Sequence, residues 1–265
     1  MAEGDTILRT ARRIGQALEG ERVEVSAPNP RGRAAGVERL DGSTLDRADA
    51  RGKHLLLQLG DLVLHSHLGM SGSWHVYGRG AAWRKPPGAA WAVLRGKDAE
   101  AVQFGGPTLR VLRPDALRLD PVLSRLGPDI LAPELDAEAV ARSLRTAPDR
   151  AIGDALLDQT LVAGIGNIFK SEACFAARQD PWQRTADLPE GRLQRVVEAA
   201  HELMRDAVDH GRHSPAVYRR AGRPCPNCAT PIASRGQGDA NRTTYWCPVC
   251  QATAPAPRLP SPRGG

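Results

Sequence analysis

Four cysteines carry the sharpest chemistry in this chain. Cys225-x2-Cys228 and Cys247-x2-Cys250 are separated by 18 residues. Each C-x2-C turn can aim two thiolates at one metal, and four thiolates close a tetrahedral zinc site with no open position. The site is therefore expected to be structural. The stretch between the pairs, TPIASRGQGDANRTTYW, holds few apolar residues and needs such a staple to fold. Two disulfides are the alternative, disfavoured in a reducing compartment. The fifth cysteine, Cys174, lies in a helical pattern and reads as a buried thiol. A second segment, Leu156 to Glu172, reads as helix, tight turn, helix. Gly164 and Gly166 free the backbone of the turn. Its N–H groups, with Asn167 at the next helix start and Lys170 one turn on, could face a phosphate. An ordinary helix hairpin is the plainer reading.

Charge is distributed unevenly. The 265 residues carry a net charge of +6. From Gly211 onward there are eight arginines and one acid, so the whole positive excess sits in the last 55 residues. That asymmetry suggests a polyanion-binding face, or else a solvated basic tail. Hydrophobic residues make up 41% and charged residues 25%, which excludes wholesale disorder and collagen-like structure. No apolar run approaches a membrane span, and the opening residues are acidic and polar, without a secretory h-region. A cytoplasmic protein with no membrane contact is expected.

These groups must be positioned by surrounding elements. Ile7, Leu8, Ala11, Ile14, Ala17 and Leu18 recur at helical spacing over residues 6–19. From Val23 to Leu112 the pattern changes to short β-like runs punctuated by Gly, Pro and Asp, read as one antiparallel sandwich or barrel. Helical periodicity returns at 136–146, 149–158, 167–177 and 189–210. The expected class is α+β, with an N-terminal antiparallel β-sandwich and its helix at 2–115 and a linker at 116–135. A helical domain at 136–212, the cysteine finger at 225–252 and a disordered Pro/Arg/Gly-rich tail at 253–265 follow.

Four blocks, in order, resemble the formamidopyrimidine-DNA glycosylase / endonuclease VIII family. They are Ala2-Glu3-Gly4-Asp5-Thr6; Arg51-Gly52-Lys53-His54-Leu55 followed by His67-Leu68-Gly69-Met70-Ser71-Gly72; the LLDQ…AGIGNIF segment, similar to the family's helix–two-turn–helix; and the cysteine module with Asn241-Arg242-Thr243-Thr244-Tyr245-Trp246. The resemblance runs from residue 2 to about 252. It implies a DNA base-excision repair enzyme, a bifunctional glycosylase and AP lyase. The N-terminal amine, exposed at Ala2 once Met1 is removed, would form a Schiff base at C1′ of the damaged nucleotide. A free α-amine titrates at about 7.7–8.0, so much of it is neutral near pH 7. Glu3 would act as general acid, Lys53 would position and protonate the sugar or base, and Arg242 would grip phosphates and assist strand cleavage. Base flipping leaves a gap in the stack. Met70 matches the void-filling position, with a core methionine as the alternative, and Phe104 is a further wedge candidate. Asn167 and Lys170 would hold the backbone. The implied partner is damaged double-stranded DNA, bound by a monomer on the nucleoid.

Two departures qualify the resemblance. Ala2 stands where proline is usual, so its imine must be protonated before elimination, and an altered lyase step is expected. The connector GRHSPAVYRRAGRP (211–224) is too short for the loop that caps 8-oxoguanine, which favours oxidised pyrimidines and the endonuclease VIII-like branch. The competing readings are a catalytically silent DNA-binding relative, a monofunctional glycosylase and a zinc-ribbon adaptor.

Overall fold

The structure is a computed structural model describing residues 2–189, 191–211 and 213–252. The expected tail at 253–265 lies outside the described residues. Helix α1 (Gly4–Leu18) comes first. Its Ile7, Ala11, Ile14 and Leu18 form one apolar stripe, each at most 1% exposed. That stripe closes a core between two four-stranded antiparallel sheets, so the β-domain is a sandwich.

The first sheet has the order β1 (Glu24–Ser26), β6 (Ala90–Arg95), β7 (Ala99–Phe104), β5 (Ser73–Gly78). The second has the order β2 (Leu45–Arg51), β3 (His54–Leu59), β4 (Leu62–His67), β8 (Thr108–Leu112). Alternation assigns the faces. Leu55, Leu57, Leu64, Leu109 and Val111 point into the core. His54, His65 and Arg110 lie on the opposite face. A short helix α2 (Pro30–Ala34) follows β1, and α3 (Pro114–Arg118) follows β8.

The second domain packs α4 (Ala137–Arg145), α5 (Ile152–Ala155), α6 (Asn167–Ala176) and α7 (Arg192–His210) around a separate apolar core. All four expected helices agree with the structure to within three residues at each end. The expected 149–158 helix loses three residues at both ends and is a single turn, α5, because the chain bends at Leu156 into the two-turn segment. The expected linker is also shorter. Asp129 bridges to Ala163, and Ile130 is fully buried in the helical core. This domain therefore begins before residue 136. Strands β9 (Ala233–Gln237) and β10 (Arg242–Trp246) pair as a hairpin beside the cysteines. Among the described residues no helix is long and apolar enough to cross a membrane.

Candidate active site

Glu3 is the residue that precedes α1, yet its side chain does not cap that helix. It crosses to the other domain. The carboxylate accepts hydrogen bonds from the backbone N–H groups of Gly166 (3.0 Å), Ile168 (2.8 Å) and Phe169 (3.3 Å). These are the orphan donors at the start of α6, where the helix dipole favours negative charge. The amides expected to face a DNA phosphate are thus occupied by Glu3. The carboxyl is 1% exposed. Burial raises its pKa, opposed by the Ile168 amide, the Lys53 ammonium and the Phe169 amide.

Backbone geometry makes this contact possible. Gly164 holds φ at +105°, a conformation that L side chains rarely adopt, and its carbonyl accepts from Gly4 N at 2.9 Å. A Cβ on residue 166 would sit 2.5 Å from Glu3 Cγ, so only glycine admits the carboxylate there. Gln159 pins the same turn, its Oε1 accepting from Gly164 N at 3.0 Å while its Nε2 donates to the Leu157 and Ile165 carbonyls.

Lys53 sits in the β2–β3 turn. Asp129 of the second domain holds that turn by accepting from Gly52 N at 2.6 Å. Burial lowers the Lys53 pKa to about 8; Glu3 pulls it up and Arg242 pushes it further down. Arg242 is exposed, at the first position of β10 after a tight turn in which Asn241 is left-handed (φ 46°). Glu3, Lys53 and Arg242, from three separate parts of the chain, therefore share one electrostatic neighbourhood across the interdomain cleft.

Helix α6 is the strut beneath Arg242. Asn167 Nδ2 donates to the Thr243 carbonyl at 2.8 Å, and Lys170 Nζ donates to Thr244 Oγ1 at 2.6 Å. Thr244 Oγ1 donates in turn to Gln237 Oε1 at 2.6 Å. Glu172 accepts from the N–H groups of Ala216, Val217 and Tyr218 at 2.7–3.0 Å, tying the connector to the same helix.

The four finger cysteines bring their Sγ atoms within 4.8 Å of one another. Tetrahedral thiolates on one zinc ion stand about 3.8 Å apart, given Zn–S bonds of about 2.3 Å. Cys225 and Cys250 are 3.8 Å apart and Cys228 and Cys247 3.4 Å, which is metal-site spacing and far beyond a disulfide bond. The Asn227 and Cys250 amides point at Cys225 and Cys247 sulfurs, each at 3.4 Å, as N–H groups do around thiolate ligands. The donor set fits one metal ion.

Two domain models match the chain: the formamidopyrimidine-DNA glycosylase N-terminal domain over residues 1–108 and the formamidopyrimidine-DNA glycosylase H2TH domain over residues 126–218. Their order and extent coincide with the sandwich and the helical domain. A Streptomyces coelicolor protein named "Probable endonuclease 8 2" is 41% identical over 97% of this chain and 96% of its own.

The chain belongs to the formamidopyrimidine-DNA glycosylase / endonuclease VIII family.

Other members are similar along their whole length. The Mycolicibacterium smegmatis DNA-(apurinic or apyrimidinic site) lyase Nei2 is 36% identical over 96% of this chain and 100% of its own. The solved Lactococcus lactis Fpg in complex with abasic-site DNA superposes with a TM-score of 0.80 at 25% identity, covering 95% of this chain and 100% of that one. The family resemblance and the fold read from the motifs are thereby established.

Within this family fold, the expected site residues fall into two groups. Ala2 and Met70 line one cleft, with Thr6, which the sequence did not single out as a site residue, and Ala2 N lies 3.5 Å from the Gly69 carbonyl. Met70 is 65% exposed in a glycine-flanked turn after β4, which removes the core-methionine alternative. Two expectations need correction. Phe104 is 1% exposed, packed with Ala90, Val93 and Val102 behind the first sheet, and cannot enter a DNA stack. Lys170 is fully buried under the β10 hairpin and presents no surface to a phosphate; burial lowers its pKa to about 8. Asn167, 6% exposed, commits one amide hydrogen to the hairpin and retains the other.

Sequence reasoning missed Glu172, Gln159 and the polar chain from Asp120 through Arg110 and His65 to His54. Arg110 Nη2 donates to Asp120 at 2.6 Å and to His65 Nδ1 at 3.1 Å, and His65 Nε2 lies 2.9 Å from His54 Nδ1. A guanidinium only donates, so His65 carries its proton on Nε2 and gives it to His54 Nδ1. Burial lowers the His54 and His65 pKa values to about 3 and about 4, keeping both rings neutral. The only signal in the sequence was the alternation of His54, His65 and Arg110 on one face of neighbouring strands.

Proposed function

We propose that this chain is a bifunctional DNA glycosylase that removes oxidised pyrimidines and then cleaves the strand as an AP lyase. The observation that carries the reading is that Lys53 feels both Glu3, the chain neighbour of Ala2, and Arg242 of the finger across the domain boundary. Once Met1 is removed, the Ala2 amine attacks C1′ of the extruded nucleotide. The N-glycosidic bond breaks and the base leaves with a proton; the C1′–O4′ bond then opens, O4′ taking a proton to become the C4′ hydroxyl, and the amine nitrogen and C1′ become the Schiff base. Glu3, whose pKa burial raises, acts as general acid on the sugar ring. Lys53 positions and protonates the sugar or base. β- and then δ-elimination of the two phosphates follows, with Arg242 holding the phosphates.

Met70, exposed beside Ala2, fills the gap left by the flipped base. Arg242 and the remaining amide hydrogen of Asn167 contact the backbone. The cysteine cluster holds structural zinc, which fixes the finger that carries Arg242. The partner is damaged double-stranded DNA, as for the abasic-site DNA seen with the Lactococcus lactis Fpg. All the proposed groups come from one chain, which suits a monomer working on the nucleoid in the cytoplasm. The short 211–224 connector supports pyrimidine over 8-oxoguanine substrates.

Borohydride trapping tests the chemistry. Met-processed protein incubated with an abasic-site or thymine glycol duplex gives a covalent adduct mapped to Ala2. Base release without an adduct would mean a monofunctional glycosylase, and neither would mean a silent DNA-binding relative. Excision of 8-oxoguanine opposite cytosine in strong preference to thymine glycol would overturn the pyrimidine assignment.

A further inference from the structure

The cleft beside Ala2 has a volume of about 320 Å³. Thr6, Arg9 and Arg13 of α1 form one wall, Ser73 and His75 of β5 another, and Arg84 of the β5–β6 loop overhangs it. A second hollow of about 330 Å³ continues it and shares Arg13, His75 and Arg84. Neither lining contains an Asp or Glu. Arg9 is compensated by Asp5 at 3.4 Å and by the Gly211 carbonyl. Arg13 and Arg84 form no ion pair among the described residues.

Arg84 is held there by its neighbours. Trp83 Nε1 donates to the nearly buried Glu100 at 2.6 Å, and Arg95 holds the same carboxylate at 2.9 Å. Trp83 also stacks on Tyr77. The Lys85 ammonium sits 5.4 Å above the Phe104 ring. Arg84 N itself donates to the Tyr77 hydroxyl at 3.2 Å. These anchors fix the backbone on both sides of Arg84, which lines both hollows beside Ala2 and also a third that contains Glu24 and Glu100. Arg13 and Arg84 thus line the same hollow with no acidic side chain in its lining.

We propose that Arg84, with Arg13, makes this cleft a selective site for oxidised bases that carry negative charge, of which ionised 5-hydroxyuracil is the type. The inference rests on the reading that the extruded base enters beside Ala2. Arginine offers donors and no acceptor, so an anionic carbonyl-rich ring satisfies it with charge-assisted hydrogen bonds. A neutral base of the same size leaves the guanidinium groups without a charged partner and gains less. The other ionisable groups facing the cleft and its continuation are Arg9, with its partner Asp5, His75 and the Tyr77 hydroxyl. Burial and then the Arg84 and Lys85 charges lower the His75 pKa, and an imidazole carries no negative charge in either state.

The test is single-turnover excision by Met-processed, zinc-loaded protein between pH 6 and pH 9. Matched duplexes carry either 5-hydroxyuracil, which ionises near neutrality, or 5,6-dihydrouracil, which does not. Taking the ratio of the two rates cancels the titration of Ala2, Glu3 and Lys53. For the native sequence the ratio rises about tenfold across the window. For Arg84→Gln it stays within about twofold, while the dihydrouracil rate and the affinity for undamaged duplex change less than about threefold. A flat ratio in the native protein overturns the proposal. So does an Arg84→Gln variant that weakens all duplexes equally, which would make Arg84 a backbone-phosphate contact. Failure to release either base overturns the glycosylase reading itself, an outcome distinct from a flat ratio.

Discussion

Glu3 and Gly166, 163 residues apart in sequence, meet at the interface of the two domains, the Glu3 carboxylate accepting the Gly166 N–H at 3.0 Å. The contact joins the proposed general acid to the start of α6. It also makes the site sensitive to one missing side chain. Gly166→Ala forces a Cβ into the Glu3 carboxyl group. The expected cost is roughly 2–4 kcal/mol of stability with loss of base excision. Gly78→Ala, where a Cβ meets nothing within 4 Å, is the control and should be neutral. Thermal melts and thymine glycol excision read both.

Lys53 titrates near pH 8 in the fold, below its ordinary value. Steps that need its ammonium should slow about tenfold per pH unit above 8. The sign for stability is opposite to that of a paired lysine. The folded pKa is depressed, so charged Lys53 opposes folding below pH 8, and the opposition fades as pH rises from 8 towards 10.5. Lys53→Met should therefore abolish excision yet stabilise the protein at pH 7 by roughly 1–2 kcal/mol, a gain that vanishes at high pH. Denaturant titrations at pH 7 and pH 10 check it.

Burial raises the Glu3 pKa. The stability contributed by its proton is present in acid and is lost as pH rises through the raised value. Glu3→Gln keeps the amide-facing oxygen without the titration. Its melting temperature should lose part of the native pH dependence, and its excision rate should fall about 100-fold or more. A Glu3→Gln variant with full excision would remove Glu3 from the reaction.

Met70 is exposed and makes little of the core. Met70→Ala should leave stability within about 0.5 kcal/mol while reducing excision about tenfold, because the stack is no longer filled. Replacement by leucine should restore most of the rate, since the requirement is apolar bulk.

The finger core of Phe175, Val217, Cys225, Ile232 and Cys247 shares no residue with the sandwich core. Cys247→Ser, or chelation of the metal, should unfold the finger while the sandwich melts as before. Trp182 and Trp246, with rings 5.4 Å apart, report the local change by fluorescence. Lyase activity should be lost with the hairpin that carries Arg242.

The sequence alone determined the pieces whose signal is local. The C-x2-C pairs alone point to four clustered cysteines that could hold a metal ion, because that spacing needs no distant partner. Period 3.6 marks α1, α4, α6 and α7, and alternation marks the sandwich strands, because one face of each is buried. The glycine-flanked turn left Met70 either exposed or in the core, and the structure decided for exposure. Tertiary structure alone decided which polar groups face the cleft. Lys170 and Asn167 read as phosphate donors at a helix start, but the β10 hairpin covers Lys170, and Glu3 takes the amides they flank. Phe104 read as a wedge, but its place at the end of β7 turns it behind the sheet. The physical reason is common to all of these. Helical and strand periodicity are set by neighbours a few residues away, whereas burial and charge depend on which other elements pack there: strand β6 for Phe104, and partners more than 70 residues distant for Lys170 and the α6 amides.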